Sequence, residues 1–259
     1  RVRRAIADCP FVVVSDITTR TDTARLADVF LPAAAWAEKS GSVTNSDRTI
    51  SRQRAALPAP GEARPDWAIM AEVGRRTGWK DAFGWDGPAQ IFDEYARLSA
   101  IAGEFGLDFD ISAMSGKDAA AYDAMIPCRW PQSPHRQGGR FFEDGQFFHA
   151  DKRARIVPVR HRAPQAALTR KLPFRLNTGR LRDQWHTMTR TALSPRLSAH
   201  LPEPFVDVHP QDAARLGLKT ADLVRVSNDC GSAILRLRES SDVQLGTLFA
   251  PMHWTGENA

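Results

Sequence analysis

The chain has 259 residues, 42% hydrophobic and 25% charged, a globular composition with length for one large or two ordinary domains. No apolar run approaches the ~20 residues of a membrane helix, and the opening Arg1, Val2, Arg3, Arg4 has no secretory apolar region, so neither a membrane span nor export is indicated. The formal charge of +5 sets 35 basic against 30 acidic residues, with no block of like charge and no interleaving of bases with aromatics. That balance argues against a nucleic-acid binder and suits an anionic substrate, a phosphorylated cofactor or an acidic redox partner.

In chain order, Phe11, Val12, Val13, Val14 and Ser15 form a β-branched run, the pattern of a strand buried on both faces. It stops at Asp16. Residues 21–27 are a short helix candidate with Thr21 or Asp22 as cap, and residues 28–31 return as a second strand ended by Pro32. A loop is expected through Trp36, Glu38, Lys39 and Gly41 to Asn45. Residues 67–76 then predict a helix with Trp67, Met70, Ala71 and Val73 on one side and Asp66 as its cap. Residues 88–100 predict another, with Pro88 in its first turn. Between 103 and 140 glycines and prolines suggest an irregular surface linker with a short helix near 117–125, followed by strand candidates at 141–142, 147–148 and 154–159.

The last third reads as strand-rich. A short apolar run, 172–176, precedes a polar segment, 177–191, described below. Residues 205–208 alternate as a strand, and 209–217 read as a short helix ended by Gly217. Residues 223–227 and 233–238 alternate on either side of Asn228, Asp229, Cys230 and Gly231, a hairpin signature. Residues 247–250 are the last strand candidate, and the whole predicts a compact β-barrel. Cys9, Cys128 and Cys230 are far apart, without metal or cluster spacing, which favours reduced thiols and a cytoplasmic setting.

The chemistry-bearing residues fall in two places. Ser15 and Asp16 close a strand, where an aspartate either caps a turn or accepts bonds from ribose hydroxyls or a guanine edge beyond the strand ends. The segment after Leu176 carries Thr178, Gly179, Arg180, Leu181, Arg182, Asp183, Gln184, Trp185, His186 and Thr187, then Met188, Thr189, Arg190 and Thr191. No apolar period runs through it. It is either an ordinary polar surface loop or a cradle for a large anionic ligand, with guanidinium groups for phosphate and hydroxyls and amides for hydrogen bonds. From the residues alone, Trp185 reads as a core aromatic and His186 as a satisfied structural histidine before either reads as a ring contact.

This second segment, continued by Ser194, Pro195, Arg196 and on to Val206, closely resembles the cofactor-binding stretch of molybdopterin oxidoreductases of the dimethyl-sulfoxide-reductase type, and most of all prokaryotic assimilatory nitrate reductases. Residues 12–16, 22–24, 27–32, 36–39 and 41–48 resemble a long motif of the same family, with Asp47 where glutamate is more usual. The resemblance implies an α/β chain: a partial αβα sandwich domain over 1–102, an irregular linker over 103–170 and a double-psi-like β-barrel domain over 171–259. It implies that Ser15, Asp16, Lys39, Asp66, residues 178–187 and Met252 contact a bis(molybdopterin guanine dinucleotide) molybdenum cofactor.

It further implies an enzyme reducing nitrate to nitrite, with electrons from a flavoprotein or a ferredoxin- or flavodoxin-like donor. The alternatives are a formate dehydrogenase, a periplasmic nitrate reductase, or a structural subunit that kept the fold. The resemblance also implies a 4Fe–4S cluster in an N-terminal region; no cluster-type cysteine array and no metal ligand stand here. The chain therefore reads as an internal fragment, with no catalytic residue of its own, no closing element at Glu257, Asn258 and Ala259, and further cofactor contacts expected beyond.

Overall fold

A computed structural model describes residues 1–256; the expectation of no closing element at 257–259 lies outside the described residues. Contacts divide the chain into two units, Arg1–Val157 and Pro158–Ala259.

The first unit begins with a short helix α1 (Val2–Ala7), then β1 (Val13–Asp16) paired in parallel with β2 (Val29–Pro32), Asp16 opposite Pro32. The expected burial on both faces does not hold: Val13 and Val29 are exposed, because the two strands form a ribbon of their own. The helix expected at 21–27 is a single 3-10 turn, Ala24–Leu26, with the Thr21 hydroxyl accepting the Ala24 N–H at 3.2 Å. Residues expected as loop supply β3 (Gly41–Thr44), antiparallel to β4 (Thr49–Gln53).

Helix α2 (Asp66–Arg76) buries Ile69, Ala71 and Gly74 and leaves Met70 and Val73 exposed, a stripe rotated from the expected one. Its N-cap is Pro65, without a side-chain bond; Asp66 is an ion-pair partner rather than a cap. Helix α3 (Pro88–Glu104) has proline in its first turn and buries Phe92, Ala96 and Ser99 at helical spacing.

Within the span expected as a linker, 103–170, residues 111–129 are not surface chain, whereas 151–170 are exposed and join no ladder. Ile111, Met114, Met125 and Tyr122 of α4 (Ala119–Asp123) join Ile50, Phe92 and Ala96 in the core of this unit, and β5 (Cys128–Arg129) pairs with β4. A buried Ser99 hydroxyl donates to Ala96 O at 2.6 Å and accepts the Ile111 N–H at 2.9 Å, so the turn entering this segment is fixed from inside α3. The strand candidates at 141–142 and 147–148 join no ladder: the first lies in a turn and the second in irregular chain. Phe142 stacks on Phe147 at 4.8 Å, and the Arg48 guanidinium lies 4.5 Å from the Phe141 ring centre. Residues 154–159 join no ladder, and Ile156 and Val159 are exposed.

The second unit is a mixed five-stranded sheet with α5 (Pro195–Ser198) and α6 (Pro210–Leu216) in its connections. Strands β6 (Arg175–Gly179), β7 (Phe205–Val208), β8 (Leu223–Asn228), β9 (Gly231–Glu239) and β10 (Thr247–Pro251) lie in the order β6, β10, β7, β9, β8. The β8–β9 hairpin turns on residues 228–231 as the alternation predicts. Val206, Val208, Ala213 and Leu237 form the core, about 1.5–3 kcal/mol for each large side chain. Gly217 ends α6 in the left-handed region at φ 67°, where a side chain would be strained. The buried Asp212 accepts the Gly246 N–H at 2.7 Å and Arg215 at 2.7 Å, tying α6 to the start of β10. Both units together are mixed α/β, and among the described residues β6 and β8 are the edges of the larger sheet.

Candidate functional site

In the first unit, main-chain bonds gather the predicted residues at the carboxyl ends of β1 and β2. Ser15 is exposed in register with Leu31, and Asp16 turns its carboxylate onto its own loop, accepting the Ile17 N–H at 2.7 Å and the Thr21 hydroxyl at 3.4 Å. Ala33 N–H donates to Asp16 O at 3.0 Å, Ala34 N–H to Arg64 O at 2.8 Å and Arg64 N–H to Pro32 O at 3.1 Å. The residues entering α2 are thus stitched to the strand ends. Asp66 opens that helix and is paired with the Lys39 ammonium. The main chain of Lys39 is held in turn by Gln53, whose amide donates to Lys39 O at 3.2 Å and to Trp36 O at 2.6 Å.

In the second unit the polar segment leaves the end of β6. Strand β10 pairs with β6 in parallel, Gly179 opposite Pro251, and the ladder closes with Met252 N–H donating to Gly179 O at 3.0 Å. Gly179 is required by packing: a Cβ there would stand 2.8 Å from the Phe249 ring. Beyond it the chain coils into turns with two positive φ angles at non-glycine residues, His186 (43°) and Met188 (59°). Such angles persist only where the surroundings fix them.

Buried residues beneath the turns do so. Met188 is 4% exposed. The buried Gln184 spends its amide inside the loop, its oxygen accepting Thr191 Oγ at 2.6 Å and its nitrogen donating to Leu197 O at 3.5 Å. The Thr191 hydroxyl also accepts the Trp185 N–H at 3.3 Å. Thr178, Arg180, Arg182, Trp185, His186 and Thr187 are left exposed, with Leu181 and Asp183 half-buried and Met252 exposed next to Pro251.

Three of the exposed residues form one cluster. The Arg180 guanidinium lies 4.6 Å from the Trp185 ring centre, its Nη2 is 3.4 Å from His186 Nε2, and the two rings meet edge to face at 4.6 Å. Among the described residues Arg180 and Arg190 have no carboxylate partner, whereas Arg182 is engaged by Asp183 at 3.0 and 3.3 Å. The Arg182 hydrogen bond holds the Asp183 carboxyl below the usual aspartate range; partial burial opposes this, and His200, whose Nδ1 is 2.6 Å from Asp183 Oδ2, reinforces it.

This donor set suits a ligand with phosphates and flat rings: a guanidinium without a carboxylate partner among the described residues, an exposed indole and imidazole, and the exposed hydroxyls of Thr178 and Thr187. Lys39 and Arg182 fit it less directly, since each would exchange a carboxylate for the ligand. No group of three or more His, Cys, Asp or Glu among the described residues could hold a metal ion. Two clefts of the first unit, of about 670 and 490 Å³, contain none of the predicted residues.

Sequence reasoning missed one residue here. His253 is wholly buried, accepts the Leu181 N–H at Nε2 (2.7 Å) and meets His186 O at Nδ1 (2.6 Å). Its only signal in the sequence is adjacency to Met252.

Known proteins match both regions. Residues 1–76 match the family model described as molybdopterin oxidoreductase, and residues 174–259 the model described as molydopterin dinucleotide binding domain. A nitrate reductase of Klebsiella oxytoca is 43% identical over 100% of this chain, which spans 29% of that protein. The F420-dependent formate dehydrogenase 2 subunit alpha of Methanococcus maripaludis is 32% identical over 99% of this chain and 36% of its own length. The fold is similar to that of acetylene hydratase from Pelobacter acetylenicus, with a TM-score of 0.70 and 19% identity over 96% of this chain and 34% of that one.

Proposed function

The chain belongs to the molybdopterin oxidoreductases, and from that premise we propose that it supplies binding surface for bis(molybdopterin guanine dinucleotide) molybdenum in an enzyme that reduces nitrate to nitrite. The observation that carries the cofactor half is the exposed cluster of Arg180, Trp185 and His186 on a loop whose strained turns are fixed from beneath. Its guanidinium offers two parallel N–H donors to a phosphate, and the indole and imidazole offer flat faces or edges to a ring.

Arg180, with Thr178, Gly179 and Leu181, is proposed to bind and orient the group; Gln184 acts from inside the loop. Trp185, His186 and Thr187 extend the same surface, Met252 flanks it, and Arg182 and Asp183 contribute by exchanging partners. In the first unit, Ser15 and Asp16 are assigned to hydroxyl or guanine donors, and Lys39 and Asp66 to a polar edge at which the ammonium can turn to an anion. When bound, molybdenum and its dithiolenes would supply two-electron oxygen-atom transfer; the chain supplies position and charge.

Identity to a nitrate reductase along the whole chain supports nitrate as substrate, and a basic surface favours an anion. The same reading includes a partial αβα sandwich for the first unit, closure of the five-stranded sheet into a double-psi barrel by further strands, a 4Fe–4S cluster elsewhere in the longer protein, a flavoprotein or ferredoxin-like electron donor and a cytoplasmic location. A formate dehydrogenase is the second reading, favoured by 32% identity over nearly the same span. The complete protein decides between them: with a reduced viologen dye it is expected to consume nitrate and yield nitrite, whereas formate oxidation without nitrate turnover selects the alternative.

A further inference from the structure

His253 stands two residues beyond the end of β10 and is buried against the segment that leaves β6, bonded to Leu181 and His186. Its two ring nitrogens meet two main-chain groups of opposite kind. The Leu181 N–H can only donate, so Nε2 must be bare; the His186 carbonyl can only accept, so Nδ1 must carry the proton. The partners therefore select one tautomer. They also lie at the two ends of the exposed cluster: Leu181 follows Arg180, and His186 is itself a member and holds a φ of 43°. A residue in that conformation needs an outside tether, and the bond to His186 O is one.

We propose that His253 is a positioning residue: by bridging Leu181 N–H and His186 O it fixes the turns that present Arg180, Trp185 and His186 to a phosphate-bearing ligand with flat rings. The inference rests on the reading of residues 178–187 as the cofactor surface. His253 touches no ligand itself. Its effect runs through the loop, which it holds in the shape the ligand meets, so that the ordering cost is met before binding.

The test uses the complete protein with His253→Leu, which keeps bulk and removes both bonds, and His253→Gln, whose amide oxygen can still accept the Leu181 N–H. Hydrogen exchange by mass spectrometry is followed in peptides covering 180–188, with 205–208 and 231–239 as controls, beside bound molybdenum and guanine nucleotide. His253→Leu is expected to speed exchange in 180–188 roughly tenfold or more, as the loss of two buried bonds implies, and to leave the controls unchanged. His253→Gln should restore part of the protection near Leu181.

Unchanged exchange at 180–188, or a uniform rise across the second unit in both variants, overturns the proposal, since either marks His253 as an ordinary core residue. Should His253→Leu fail to accumulate, His253→Gln alone carries the test, because it must loosen the His186 end more than the Leu181 end. If 180–188 loosens while molybdenum and guanine nucleotide stay fully bound, the tether stands and the cofactor reading of the loop fails.

Discussion

In the first unit the predicted residues are held by main-chain bonds at the ends of two strands, and their one cation, Lys39, already has Asp66 as partner. In the second unit the predicted residues lie on a loop with two strained turns, supported by Gln184, Met188 and His253, and among the described residues the guanidinium at its front has no carboxylate. The first arrangement is electrostatically self-satisfied; the second is not. An anion gains most where no existing ion pair must be broken, so phosphate recognition should weigh on the second unit.

The largest expected effect bears on the frame of that loop. Leu237→Ala opens a hole in the wholly buried centre of the second sheet and should cost about 2–5 kcal/mol. Denaturant titration checks this, and a loss below 1 kcal/mol would mean the sheet is not what supports the loop. Gly179→Ala comes next. Its new methyl meets the Phe249 ring at 2.8 Å, and overpacking of this kind costs about 1–3 kcal/mol. The companion change Phe249→Leu should recover part of the loss if the ring is the obstacle.

Asp66→Asn should cost about 0–1 kcal/mol, the ordinary value of an exposed ion pair. Because it frees Lys39, anion affinity in the first unit should rise or stay level rather than fall. A marked loss of bound guanine nucleotide would show that Asp66 is itself a contact and would erase the contrast between the units. The smallest effect is that of acid. Asp183 has a lowered folded pKa, so its contribution to stability is present above the usual aspartate value of about 3.9 and is lost as pH falls through the depressed one. Exchange in residues 182–184 should therefore quicken only at strongly acidic pH, and Asp183→Asn should remove that dependence.

Much of the second unit was legible because its signals are local. The alternation of 223–227 and 233–238 around a four-residue turn, and a helix ended by Gly217, each follow from short-range rules. In the first unit β3 escaped because Gly41, Ser42, Val43 and Thr44 carry too few apolar residues for a period to show. The core role of Ile111, Met114 and Met125 was hidden because it is set by packing against α3 across irregular chain. The expected charge pattern, without blocks, needs correction at one place: residues 152–171 carry seven lysines and arginines and no acid.

At the site, the polar loop was visible from composition, but its division into exposed and inward residues was not. Thr191 differs from Thr187 only in where the turns point it, Gln184 is as polar as either yet buried, and His253 reaches the loop from a distant part of the sequence.

The central claim, that the loop at 178–187 holds an anionic cofactor through Arg180, is met most directly by the molybdenum and guanine nucleotide content of the complete protein carrying Arg180→Ala or Arg180→Lys. Arg180 is exposed, so thermal stability should change little. Loss of charge-assisted bonds worth about 1.5–3 kcal/mol should lower cofactor affinity roughly ten- to a hundredfold in the alanine variant. The lysine variant should recover only part of it, because a point charge does not reproduce the planar fork. Full cofactor content in both variants, with a folded protein, would contradict the account.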